Sequence, residues 1–258
     1  MKELFSPNAR PRRVVFTTMV AAQLMLLILL WAFYPMQMLP SLGAVLRALS
    51  ELTTSQGLIP ELWASMTTAL QSLAVATGLA LLISYLTALP FFRPIAYAAS
   101  KMRYLTLTGL TFFMAILLSS GHEVKLTVLI FATTVYLVTG MTSVILTTTQ
   151  EEMDHARTLG MSEWRSFWEV VVLGKLDDML EVVRQNFAII WTMITLVETL
   201  YQSEGGIGLL LYKQNRYLHL DGVVAIQLVI LATGALQDYL FGLLRRVFFP
   251  YSELTTAR

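Results

Sequence analysis

Three stretches of this chain, residues 14–34, 62–89 and 126–150, carry no charged side chain at all. A helix needs ~20 apolar residues to cross the hydrocarbon core of a bilayer, and each stretch meets that length. In lipid no water is present to bond N–H and C=O groups, so a spanning segment must satisfy its backbone internally, as a helix does. Composition agrees with this. The chain is 14% charged and 56% hydrophobic, against ~25% charged for soluble domains, and its mean hydropathy is +0.64. The sequence therefore predicts an all-α membrane protein.

Six spans are expected, at about 14–34, 62–89, 104–118, 126–147, 185–201 and 222–244. Pro35 stops the first. Arg10, Arg12 and Arg13 precede it as basic residues precede a signal sequence, but the apolar run is too long, and Tyr34-Pro35-Met36-Gln37 is not a small-residue cleavage site. The run reads as a retained anchor. Leu39-Pro40-Ser41 opens a short amphipathic helix with Leu42, Val45, Leu46 and Leu49 on one face and Arg47, Ser50 and Glu51 off it, spacing that suits a helix lying in the membrane interface. Gly57 and Pro60 close this helix. The second span ends at Pro90 and Pro94, and Ser119-Ser120-Gly121-His122-Glu123 is a polar turn.

Lys and Arg set the orientation, because cytoplasmic loops carry their excess. With the N-terminus in the cytoplasm, fourteen of the eighteen fall on the cytoplasmic side, leaving Arg47, Lys125, Lys213 and Arg216 opposite. Six spans with both termini cytoplasmic is the arrangement that keeps this partition. One domain covers residues 1–258, with no internal repeat.

The polar segment of about 150–184 is too charged to lie in lipid. It begins as a helix–turn–helix. Glu151, Glu152 and Asp154 crowd the first turns, where the helix dipole favours acids. Gly160 stands where a helix end favours a residue tolerant of positive φ, and Ser162 is placed to cap a second helix. That helix sets Trp164, Phe167, Trp168 and Val171 on one face. From these residues alone, an amphipathic hairpin at the membrane surface is as good a reading as any docking element.

The same segment resembles the signature loop of ATP-binding-cassette (ABC) importer permeases: Glu-Ala-Ala, three residues, Gly, nine residues, an aliphatic. Asp154, His155 and Ala156 occupy the triplet, Gly160 the glycine and Val170 the aliphatic position. Arg157-Thr158-Leu159-Gly160-Met161-Ser162-Glu163-Trp164 is similar to the subfamily that imports nitrate, sulfonates and taurine. Leu39-Pro40-Ser41, Val45-Leu46, and Glu198 with 205–210 resemble other parts of that subfamily. Asp154 and His155 depart from the usual Glu and Ala. Leu173 and Asp177 stand at positions where the family usually has proline, and the proline-rich stretch usual near the third span is absent.

The resemblance implies a type I importer permease fold with a cytoplasmic coupling helix in the bacterial inner membrane. Asp154, His155, Ala156, Arg157, Leu159 and Gly160 are then the ATPase-coupling residues. The partners implied are two copies of an ABC ATPase subunit, a second permease making a homodimer, and an extracytoplasmic substrate-binding protein. ATP is bound by the ATPase, so no cofactor and no catalysis are expected here. No Gly-x-x-x-x-Gly-Lys-Ser/Thr occurs, and Gly174-Lys175 is followed by Leu176.

Glu198 is an acid inside a predicted span, as is Asp238 in the last one, and it lies near the outer end of its span, where water or Lys125 can satisfy it. An intramembrane acid is a functional candidate, so Glu198, Gly205 and Gly206 are read as a gate or pathway element. Thr133, Thr134, Thr139, Thr142, Thr192 and Thr195 can line a polar pathway or bond their own helices, the commoner use. His122, His155 and His219 are scattered and the chain has no cysteine, so no metal site is expected. No basic run interleaved with aromatics suggests nucleic acid. Two other classes make different demands. A transporter driven by an ion gradient calls for inverted repeats, broken helices and several buried ionisable residues. A membrane-embedded enzyme calls for a converging catalytic constellation.

Overall fold

The computed structural model describes residues 13–33 and 40–250. The expected stop at Pro35, Leu39 ahead of the interfacial helix, and the charges Lys2, Arg10, Arg12 and Arg258 lie outside them.

Among the described residues five helices are long and apolar enough to cross a membrane: α1 (Arg13–Phe33), α3 (Leu58–Leu86), α6 (Gly121–Leu146), α9 (Leu176–Leu200) and α11 (Leu220–Phe248). Shorter helices join them: α2 (Leu42–Thr54), α4 (Arg93–Lys101), α5 (Leu107–Leu117), α7 (Gln150–Thr158), α8 (Glu163–Ser166) and α10 (Ile207–Arg216). The remaining expected crossing, 104–118, contains only α5. Its eleven residues reach ~16 Å, about half the ~30 Å hydrocarbon thickness. Leu105, Thr106 and Leu118 on either side are extended. Hydropathy reads composition and is blind to where the backbone leaves the helix. Extended backbone at membrane depth must be buried in protein or line a cavity.

The bundle is built on α3, α6 and α9. Ser65, Ala69, Ser72, Ala76, Ala80 and Ser84 form a fully buried stripe of small side chains along α3. Such a stripe lets helix backbones approach closely, the main source of cohesion where lipid is as apolar as leucine. Ser65 meets Glu198 of α9, and Thr142 of α6 donates to Ser84 at 3.4 Å. Leu129, Leu137 and Met141 of α6 and Ile190 and Ile194 of α9 fill the centre. Trp191 Nε1 donates to Gln237 Oε1 at 2.7 Å, tying α9 to α11.

The short helix α2 starts as expected, with Ser41 Oγ accepting from the Ala44 amide. Its buried face differs, however. Val45, Ala48 and Leu52 pack inward while Leu42 and Leu46 are exposed, because α2 lies along α11 and turns a different stripe towards it.

At the opposite end of the bundle, charges join α9 to α11. Arg245 bonds Asp177 through both nitrogens, Nε–Oδ1 2.5 Å and Nη2–Oδ2 2.8 Å, and reaches Glu181 at 3.1 Å. Arg184 bonds Glu181 at 2.7 Å and Asp238 at 3.1 Å. Asp177 is thus the bidentate acceptor for Arg245.

We expect Asp177→Asn and Arg245→Gln to be strongly non-additive, with an interaction energy on the order of 1 kcal/mol or more, as for contacting groups in one network. Thermal midpoints in detergent for the two single variants and the double variant measure it. Additive losses would remove this pair from the account of the bundle base.

Candidate functional site

The hairpin after α6 is shaped by local chemistry. Thr149 caps α7: its hydroxyl accepts from the Glu152 amide at 3.3 Å, and Glu152 Oε2 accepts from the Thr149 amide at 2.9 Å. This reciprocal pair satisfies two otherwise orphaned donors. At the other end Gly160 has φ +78°. The Gly160 amide bonds Arg157 O at 2.9 Å and the Met161 amide bonds Ala156 O at 3.3 Å, the pairing of a Schellman ending. Ser162 then caps the second arm, its hydroxyl accepting from the Arg165 amide at 3.4 Å.

One side chain locks the two arms. Arg157 bonds Asp154 on its own helix at 2.6 Å and grips both oxygens of Glu163 across the turn, each at 2.9 Å. These hydrogen bonds hold the Glu163 carboxyl below the usual carboxylate range and push the Arg157 guanidinium further up. All three groups are substantially exposed, so the fork fixes geometry more than it stabilises the fold. Lys175 approaches Glu152 at 3.7 Å, closing the base of the hairpin.

The structure places the expected coupling residues in one hairpin, with different surroundings. Asp154, His155 and Leu159 are exposed, Leu159 at 64%, while Ala156 is buried behind them. Gly160 is the turn. The expected aromatic face is split. Residues Phe167–Leu173 form a π-helical turn, closed by the Gly174 amide on Glu169 O at 3.0 Å. The wider i→i+5 repeat rotates Trp168 away from Val171. Val171 is buried, and Phe167 meets the edge of Tyr85 on α3 at 6.3 Å between centroids. Trp164 and Trp168 remain exposed on the hairpin. The arrangement is a rigid element seated on the bundle, with apolar side chains presented outward.

At the far end, Glu198 is fully buried. Its partners are a serine hydroxyl and a backbone amide, not Lys125. Ser65 Oγ lies 2.7 Å from Oε1, and the Gly208 amide donates to Oε2 at 2.8 Å. The Ile207 amide donates to Ser65 Oγ at 2.9 Å, and the Gly206 amide to Glu61. Three consecutive amides at the start of α10 thus find side-chain acceptors on α3 and α9, where the helix dipole favours negative charge. Lys125 instead donates to Gly205 O at 3.4 Å. Gly205 and Gly206 are not a loose turn here. Gly206 has φ +107°, and a Cβ on it would lie 2.2 Å from the Glu198 carboxyl carbon. Glu61 and Ser65 escaped the sequence reading, although an acid in the first turn of a span was a usable sign.

Thr134, Thr139 and Thr195 bond carbonyls of their own helices; Thr133 is buried without a partner. Thr192, Thr195 and Thr199 line a cleft of about 520 Å³ beside α9, together with Leu107 and Tyr136. Among the described residues no cluster of metal-ligating side chains occurs.

No family model matches the chain, and no curated protein matches it. Solved structures do. One is a chain from the crystal structure of an amino acid ABC transporter with histidines, with TM-score 0.66 at 13% identity, covering 77% of this chain and 97% of that one. The two chains share a fold.

Glu198→Leu should lower the thermal midpoint sharply. It leaves the Gly208 amide and the Ser65 hydroxyl without their acceptor, each costing ~1–3 kcal/mol when buried. Glu198→Gln keeps one acceptor oxygen and should cost clearly less. Equal midpoints for the two variants would show that the carboxylate does not hold α10 in place.

Proposed function

We propose that this chain is the membrane-spanning subunit of an ABC importer, coupling a solute pathway to ATP hydrolysed by a separate subunit. The observation that carries the reading is the doubly capped hairpin between α6 and α9, with Asp154, His155, Leu159, Trp164 and Trp168 exposed on it. The shared fold with a chain of an ABC transporter supports it, and so does the resemblance of residues 154–170 to the importer loop.

In this reading two copies of the chain and two ATPases form the core, and an external binding protein delivers the solute. Asp154, His155, Arg157 and Leu159 enter a groove on the ATPase, Ala156 packs them against the bundle, and Gly160 permits the turn. Closure of the ATPase dimer on ATP draws the two hairpins together. Because each hairpin is continuous with α6 and α9, the spans follow as rigid bodies. The cleft lined by Thr192, Thr195 and Thr199 becomes part of the pathway once the second copy covers it. The segment 104–118, with α5 at its centre, makes the sixth crossing, giving cytoplasmic termini in the bacterial inner membrane. Glu198, with Gly205 and Gly206, latches the outer end of the pathway. The solute is a small anionic or organic molecule such as nitrate, a sulfonate or taurine, a proposal resting on the resemblance of residues 157–164.

The test is co-purification in detergent with the ATPase encoded beside it. The wild-type chain should hold the ATPase. Gly160→Val puts a β-branched residue at positive φ, a strain of ~1–3 kcal/mol, and should cut recovery and coupled ATPase activity at least about tenfold, ~1.4 kcal/mol. Gly160→Asn, which tolerates that conformation, should restore most of both. A folded chain that retains no ATPase, or a Gly160→Val variant with unchanged recovery and activity, refutes the reading.

A further inference from the structure

Between Glu61 and Glu123 the sequence has no acidic residue, yet it places Arg93, Lys101 and Arg103 within eleven positions. All three lie on or beside α4, at the end of the bundle that also carries the hairpin, and all three are exposed. None has a carboxylate partner among the described residues. Arg93 Nε donates to Thr87 O at 3.2 Å, which leaves the rest of its guanidinium without a protein acceptor. The Lys101 ammonium sits 5.0 Å over the Tyr97 ring, and Arg103 lies 5.1 Å over Tyr104.

The surroundings of these cations are apolar. Phe91, Ile95, Tyr97, Tyr104 and Leu105 are exposed around α4, the mixture of aromatic and aliphatic groups that settles at the level of lipid headgroups. Behind α4, against α6, is a cavity of about 580 Å³, within the range of small-molecule sites. Arg93, Tyr97, Ser100, Thr142 and Ser143 line it, and so does Thr148, whose hydroxyl is buried without a hydrogen-bond partner. A guanidinium bonded only through Nε and a hydroxyl without a partner around one cavity ask for an anion with several acceptor oxygens. The apolar rim asks that the anion be attached to a hydrocarbon tail.

We propose that α4 and the cavity behind it bind the phosphate headgroup of an anionic phospholipid. Arg93 and Thr148 hold the phosphate, Lys101 and Arg103 supply the surrounding positive field, and the acyl chains run along Phe91, Ile95 and Tyr97. Thr148 immediately precedes Thr149, the cap of α7, so the bound lipid lies one residue from the start of the hairpin. The site does not depend on the transport reading.

The chain has no cysteine, so Ala98→Cys, exposed on α4 and outside the cavity lining, carries a single fluorophore beside the site. The full chain is reconstituted in vesicles of phosphatidylcholine containing either spin-labelled phosphatidylglycerol or spin-labelled phosphatidylcholine, and quenching by the two is compared. Phosphatidylglycerol should be preferred, with the preference falling about fivefold for each cation removed near the surface in Arg93→Gln and in Lys101→Gln with Arg103→Gln. Arg93→Lys with Arg103→Lys keeps the charge and should keep most of the preference. In the unaltered background the preference should collapse in about 1 M salt, where the screening length is ~3 Å. Equal quenching by the two lipids overturns the proposal. Relief of phosphatidylglycerol quenching by millimolar inorganic phosphate also overturns it, because the site then takes a soluble anion.

Discussion

Three backbone amides, those of Gly206, Ile207 and Gly208, are bonded by Glu61, Ser65 and Glu198, and the half of the bundle opposite the hairpin depends on this clasp. A helix start cannot leave its first donors bare when buried. Here the acceptors come from two different spans, so α10 can form only where α3 and α9 are already side by side. The same contacts make the buried acid tolerable. A lone carboxylate inside a span is costly, but one facing a helix start and a serine hydroxyl has both charge and lone pairs accommodated. The clasp thus fixes the spacing of α3 and α9 and closes the turn after α9 in a single arrangement.

The other end of the bundle uses a different chemistry for the same purpose. Asp177, Glu181, Arg184, Asp238 and Arg245 join the start of α9 to the end of α11, and the Phe167–Tyr85 contact seats the hairpin on α3. Between the two ends runs the small-residue stripe of α3, which sets how closely the spans approach. A helix held at both ends and packed closely along its length moves as a body. In the proposed function this continuity gives the hairpin its use: a push on Leu159 or Trp164 would reach α9 through a capped turn, a π-helical turn and an ion-paired base.

The parts of this architecture that were legible in the sequence are those set by neighbours in the chain. Gly160, Ser162 and the acids of α7 act within one or two helical turns, so the hairpin could be drawn from residues 150–166 alone. Of the four longest apolar helices after α2, three were visible as charge-poor runs with ends displaced by up to five residues. The fourth, α9, begins nine residues before the expected span, through Asp177, Asp178, Glu181 and Arg184, whose charges read as polar loop. What was missed is non-local or geometric. Ser65 and Glu198 are 133 positions apart, and no local pattern announces their pairing. The crossing at 104–118 has the hydropathy of a span but extended backbone at both flanks, and the π-helical turn at Phe167–Leu173 changed the spacing on which the aromatic face was drawn. The face of α2 shifted because the position of α11 decides which stripe is covered. Asp177, read only as a lost proline, acquires its meaning from Arg245, 68 positions away.

The central claim is that the hairpin carries motion between a partner and the spans. It is tested most directly by the distance between the two hairpins in the assembled complex. A single spin label at Thr158→Cys in this cysteine-free chain, present twice in the proposed complex, reports that distance by pulsed electron resonance. The account predicts a shorter, well-defined distance when ATP closes the ATPases than in the nucleotide-free state. One unchanged distance distribution in both states, in a complex shown to hydrolyse ATP, would contradict it.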